Sequence, residues 1–205
     1  MAYSVCSEPS ILAFRHSKIN LKRHGIKMKD LIGFYLGENP NDSGDSFASI
    51  LRWTDAQLEL GHTYIQWLFP LDVPSEIVRN SPVITQQQID EFLKSSFLQS
   101  RMAMAFGRMS GFYGFTVVDG EDGKCQIVKA DDFDLKSRYW ISPNNHNYKR
   151  LTRIMTSMNM LGHRELAKAL QDFLAKLFEE YPSKIGLITY TYWIDAVPEQ
   201  GEENV

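Results

Sequence analysis

From Thr85 onward the apolar letters fall three and four apart: Ile89, Phe92 and Leu93, then Leu98, Met102, Ala105, Met109 and Phe112. That spacing lays one stripe along a 3.6-residue turn, and Thr85 with Gln88 supplies a capping-box pattern at its start. One long buried helix is predicted, ending near Gly111 or Gly114. The same periodicity returns in "NNHNYKRLTRIMTSMNMLG", where Leu151, Ile154, Met155, Met158 and Leu161 share a face and Gly162 follows as a stop. It returns again in "HRELAKALQDFLAKLFEEYP", with Leu166, Leu170, Phe173, Leu174 and Leu177 before Pro182. These two stretches predict a helical hairpin.

Shorter patterns fill the remainder. "MKDLIGFYLG" (28–37) reads as a helix closed near Gly37, and "NPNDSGDS" as a turn-rich loop. "SFASILRWTDAQLE", from Ser46, predicts a second helix through Phe47, Ile50, Leu51 and Trp53. Pro70, Pro74 and Pro82 make the next stretch an irregular connector. Residues 115–130, "FTVVDGEDGKCQIVKA", carry two β-prone runs around a turn-forming centre, so a short hairpin or a loop is expected there. "KIGLITYTYWIDAV" suits a strand by composition. It also fits a helix through Ile185, Ile188, Tyr192 and Ala196, and a lone strand would lack a partner, so a helix is expected. The sum is an all-α, single-domain helical bundle with at most a short β-hairpin near 115–130. Its expected limits are residues 28–196, after a basic extension (1–27) and before an acidic disordered tail (197–205). Met28 is an alternative start for the compact domain.

Composition narrows this picture only a little. At 43% hydrophobic and 23% charged, the chain is that of a folded protein, and a formal charge of −3 lacks the basic excess of a dedicated nucleic-acid binder. Residues 15–29 hold six Lys or Arg and no acid, which leaves a local nucleic-acid or anionic contact as the minor alternative to a solvated arm. No apolar run approaches the length of a membrane helix, and the first residues lack the marks of a signal peptide. A cytoplasmic location is expected. Cys6 and Cys125 make neither a disulfide framework nor a metal-site spacing. No cofactor is expected.

Candidate chemistry gathers in two places. "GHTYIQWLFP" (61–70) mixes His62, Tyr64, Gln66 and Trp67 among Ile65, Leu68 and Phe69. Either those polar tips bond to backbone around a core segment, or they face a ligand. On the helix through 146–161, His146, Lys149, Arg150 and Arg153 share a sector beside the apolar face. Arg150 and Arg153 lie one turn apart and suit a carboxylate or phosphate, while His146 and Asn147 sit at a helix start, where negative charge is favoured. No Gly-rich phosphate loop, nucleophile elbow or zinc-protease motif occurs. His62 and His146 offer an acid and a base for phosphoester chemistry, but neither begins a His-x-Thr pair.

Three blocks, "GHTYIQWLFPL" (61–71), "MSGFYGF" (109–115) and "HNYKRLTRIM" (146–155), resemble in content and order the conserved region of the opioid growth factor receptor family. Trp53 and "LEL" (58–60) are similar to the lead-in of its most specific block, and the likeness runs from about Met28 to Ala196. The resemblance implies a mostly helical domain and no enzyme. For the animal members it implies binding of an enkephalin-type peptide in growth control, with nuclear or membrane association. Their long repeat-bearing tail is not among these 205 residues. The match picks out His62, Tyr64, Gln66, Trp67, His146, Asn147, Arg150, Thr152 and Arg153.

The leading expectation is therefore a non-catalytic binding domain. A groove between His62–Trp67 and the 146–161 helix would hold a peptide or small anionic ligand, gripped by Arg150 and Arg153 and walled by Tyr64 and Trp67. The alternatives are a phosphoester-processing or nucleic-acid-directed enzyme using His62 and His146, and a helical scaffold subunit packing on a protein partner.

Overall fold

A computed structural model describes residues 30–120 and 123–199; the basic arm, the Met28 start, Cys6 and most of the acidic tail lie outside the described residues. Eleven helices and one two-stranded antiparallel sheet make up this part. The mostly helical single-domain expectation holds.

Four short helices open the chain: α1 (Leu31–Leu36), α2 (Phe47–Leu51), α3 (Asp55–Leu60) and α4 (Tyr64–Leu68). The Gly33 amide donates to the Asp30 carboxylate at the start of α1, and the helix stops at Gly37, whose φ of 82° is left-handed. The single helix expected from Ser46 is in fact two. Thr54 adopts an extended backbone and forms a full capping box with Gln57, so a new helix begins where the apolar spacing alone would have continued the old one.

The same device divides the long helix expected from Thr85. The Thr85–Gln88 capping box opens α5 (Gln86–Lys94) as predicted, but Ser95 is extended (φ −103°, ψ 105°), and its hydroxyl accepts from Leu98 to start α6 (Ser96–Tyr113). Gln99 then donates to the Phe92 carbonyl (2.8 Å), one of those freed at the break. Gly114, at φ 80°, turns the chain into β1 (Phe115–Asp119), which pairs with β2 (Cys125–Lys129) in the register Phe115 to Lys129. The hairpin is present.

Helix α7 (Phe133–Trp140) has no counterpart in the sequence reading; Phe133 and Trp140 bury its inner face, and the Trp140 indole donates to the Tyr113 carbonyl (3.1 Å). The helical hairpin of α8 (Asn147–Met160) and α9 (Arg164–Glu180) appears as predicted around Gly162. The last expected helix is again two, α10 (Pro182–Ile185) and α11 (Leu187–Asp195), because Gly186 takes φ 80° and ψ 148° between them. One continuous core joins all of this. Its aromatic centre on one side is Phe34, Tyr35, Phe47, Trp67 and Phe92, with ring centroids 4.8 to 5.9 Å apart.

Candidate functional site

The two sequence-distant polar clusters do meet, along the length of α8. Residues 58–70 run beside that helix, and its polar side chains bond to their backbone. Arg150 is 6% exposed. Its Nη1 donates to the Leu58 carbonyl and to Asn147 Oδ1 (both 3.1 Å), and its Nη2 donates to the carbonyls of Glu59 (3.2 Å) and Gly61 (2.6 Å). Those carbonyls are the open C-terminal end of α3, where partial negative charge collects. The guanidinium is a cap and a counter-charge at once, and it lies over the Tyr64 ring at 5.6 Å. Both of its terminal nitrogens are committed within the chain. Where a grip on an outside anion was expected of Arg150, its planar fork meets four oxygens of its own protein.

Asn147 is fully buried. It donates to Glu59 Oε2 (3.0 Å) and accepts from Arg150 and from the Tyr113 hydroxyl (3.3 Å). At the start of α8, where free amides were expected, Asn145 already receives two of them: its Oδ1 accepts from the Asn147 amide (3.0 Å) and its carbonyl from that of Tyr148 (3.2 Å). One turn beyond Arg150, Arg153 Nη1 donates to the Phe69 carbonyl (3.1 Å) and Ser157 Oγ to that of Pro70 (2.8 Å), while the Tyr35 hydroxyl bonds the Leu68 carbonyl. All three carbonyls at the end of α4 are capped from elsewhere in the chain.

The mixed run 61–70 resolves in the same terms. Tyr64 and Trp67 are core side chains, 0% and 3% exposed. Burial pushes the Tyr64 hydroxyl up to about 12, partly offset by Arg150. Gln66 is buried too, and with its amide oriented by the surrounding acceptors it donates to the carbonyls of His62 (2.9 Å) and Thr63 (3.0 Å). Five of the eight candidate residues, Tyr64, Gln66, Trp67, Asn147 and Arg150, are therefore interior.

Three reach the surface. His62 is exposed, and its ring lies 6.4 Å from that of His146. The His146 side chain is 48% exposed, with Nε2 3.3 Å from Glu59 Oε1. Partial burial, with Arg150 and His62 nearby, holds the His146 imidazole below its usual range against the pull of Glu59. Arg153 is half-buried, and burial lowers its guanidinium to about 10. No carboxylate pairs with it among the described residues. Glu59, which joins His146, Asn147 and Arg150, is the residue the sequence reading passed over. Its place in "LEL" before the mixed run was the available signal. Among the described residues no cluster of His, Cys, Asp and Glu is arranged to hold a metal ion, and no helix is long and apolar enough to cross a membrane.

Fold and site together define a mostly helical domain in which a buried arginine network locks residues 58–70 onto one long helix. The chain belongs to the opioid growth factor receptor family: the model of the "Opioid growth factor receptor (OGFr) conserved region" matches residues 11–203, starting inside the stretch read as a basic extension. It is 34% identical to the rat opioid growth factor receptor over 137 residues, covering 64% of this chain and 23% of that protein. To the mouse opioid growth factor receptor-like protein 1 it is 27% identical over 165 residues, 80% of this chain and 31% of the relative. The human opioid growth factor receptor is 35% identical over 113 residues, 54% of this chain and 16% of its own length. The chain thus spans less than a third of each of these relatives. No solved structure matches it.

Proposed function

We propose that this chain is a non-catalytic recognition domain that binds a peptide or small anionic ligand along the outer edge of α8, between the His62–His146 pair and Arg153. The observation that carries this reading is the state of Arg153, a half-buried cation with one backbone bond and no acid beside it among the described residues. A carboxylate there would gain a charge-assisted bond at a partly desolvated position. Seven residues along the helix, about 10 Å away, the imidazoles and Glu59 offer donors and acceptors to the rest of the ligand. Relatives named as receptors for the opioid growth factor support a peptide as that ligand. A cytoplasmic site of action belongs to the same proposal.

The test is calorimetric titration with an enkephalin-type peptide bearing a free C-terminal carboxylate, beside its C-terminally amidated form. Amidation of the peptide and Arg153→Gln in the protein should each weaken binding about 10- to 100-fold, the value of one charged hydrogen bond. Equal affinity for the two peptides, or an unaffected Arg153→Gln protein, rejects the site.

A second reading rests on the 6.4 Å ring separation. Two imidazoles that close, one of them against a carboxylate, are placed as an acid and a base would be. Turnover of a p-nitrophenyl phosphodiester that disappears in the His62→Ala/His146→Ala protein would favour it, and absence of turnover by the wild-type chain would remove it.

A further inference from the structure

On the other side of the first turn of α8, the Tyr148 hydroxyl bonds the Lys184 carbonyl (3.4 Å) and ties α10 to the bundle. Between α10 and α7 lies a cavity of about 220 Å³, lined by Asp134, Ser137, Arg138, Ile141, Tyr181 and Lys184. Asp134 and Arg138 stand four apart on one helix, a spacing at which opposite charges can meet. Lys136 with Asp132 (2.8 Å) and Lys168 with Asp172 (3.3 Å) do meet at that spacing here. Asp134 and Arg138 do not, and neither has an ion-pair partner among the described residues. Lys184 is likewise without a carboxylate among them, its ammonium resting 5.3 Å from the centre of the Tyr181 ring. The Ser137 hydroxyl makes no hydrogen bond to another described residue, although Ser137 is only 8% exposed.

We propose that this cavity is a binding site for a small zwitterion of the amino-acid or short-peptide type. Its carboxylate is taken by Arg138 and Lys184, and its ammonium by Asp134. A simple anion would leave the Asp134 carboxylate facing it, and a simple cation would face two positive groups; a molecule carrying both charges satisfies all three. The volume is below the range of about 300–1,000 Å³ typical for drug-sized ligands, which sets the size at one or two residues. The site uses none of the residues of the α8 edge and stands or falls separately from it.

The experiment is a ¹⁵N-resolved NMR titration of the whole chain with glycylglycine, with N-acetylated and C-amidated glycylglycine as single-charge controls. Saturable shifts should centre on the amides of Ser137, Arg138 and Lys184, with each control bound at least tenfold more weakly. Asp134→Asn should remove the preference for the free dipeptide over its N-acetylated form, and Arg138→Gln/Lys184→Gln should remove binding. All three side chains lie on exposed residues, so the variants keep their fold, and an unchanged melting temperature checks this. Non-saturating shifts, shifts centred elsewhere, or equal binding of the N-acetylated control overturn the proposal.

Discussion

Replacing Arg150 by alanine distinguishes a ligand-gripping arginine from the capping one seen here. The side chain satisfies three backbone carbonyls and the Asn147 amide oxygen, and its guanidinium sits 3.9 Å from Glu59 Oε2. Each buried acceptor left bare costs about 1–3 kcal/mol, and breaking a buried charged network costs about 3–5 kcal/mol in all. Water can reach the carbonyls of Glu59 and Gly61, whose bonds are only partly buried, so the lower part of that range applies, about 3–4 kcal/mol. For a domain of this size that is a fall in melting temperature of about 6–16 °C, read by far-ultraviolet circular dichroism and checked by urea midpoint. Arg150→Lys should recover only part of the loss, since one ammonium on a flexible stem cannot span four acceptors. An Arg150→Ala protein melting within about 2 °C of wild type, the effect of an ordinary surface change, would refute the capping argument and return Arg150 to the ligand.

Three further outcomes follow from the same coordinates. Gly114→Ala should lower stability by about 1–2 kcal/mol from the left-handed backbone alone, and by more because the new Cβ would lie 3.0 Å from Phe133 Cα; a urea midpoint equal to wild type would contradict this. Gln171 donates to the carbonyls of Trp193 (2.9 Å), Ile194 (2.8 Å) and Val197 (3.2 Å), so Gln171→Leu should cost about 1–3 kcal/mol. Hydrogen exchange should show α11 losing protection before α6, and uniform loss would argue against the cap. Burial holds His163 below its usual range more strongly than its bond to the Gln99 carbonyl raises it. The fold therefore favours the neutral ring: stability is complete above about pH 6.5 and declines as pH falls toward the folded value, because the unfolded chain binds the proton first. The melting temperature should fall as pH drops below about 6.5, and His163→Gln should flatten that fall; an identical slope in the variant removes His163 as its source.

What the sequence disclosed depended on the range of the interaction. Periodicity located α8 and α9 because an oily face repeats over many residues, and Gly37, Gly114 and Gly162 marked stops because only the left-handed conformation fits there. The splits at Thr54 and Ser95 were legible in principle, each an N-cap residue inside an apolar pattern, but the pattern continues across both. Helix α7 escaped because its inner face is two aromatics seven residues apart, too sparse to show a period. The meeting of the two polar segments along α8 was anticipated. Which of their residues faced outward was not, since Arg150 and Arg153 look alike in sequence and differ only in the carbonyls that lie opposite.

Those carbonyls explain why an oily run carries polar letters. A fold in which five of the eleven described helices have only four to six residues has many helix ends for its size, and each exposes acceptors that cannot be buried bare. Here the longer helices supply the missing donors: Arg150 closes α3, Arg153 and Ser157 close the end of α4, Gln99 serves α5 and the Leu161 carbonyl (2.7 Å), Arg108 takes the Trp53 carbonyl (2.7 Å), and Gln171 closes α11. The arrangement makes a short helix depend on a distant side chain rather than on its own propensity, which is marginal at that length. A ligand held along α8 would then touch a surface whose position is set from both sides by these bonds. Loosening any one cap should blur that surface before it unfolds the domain.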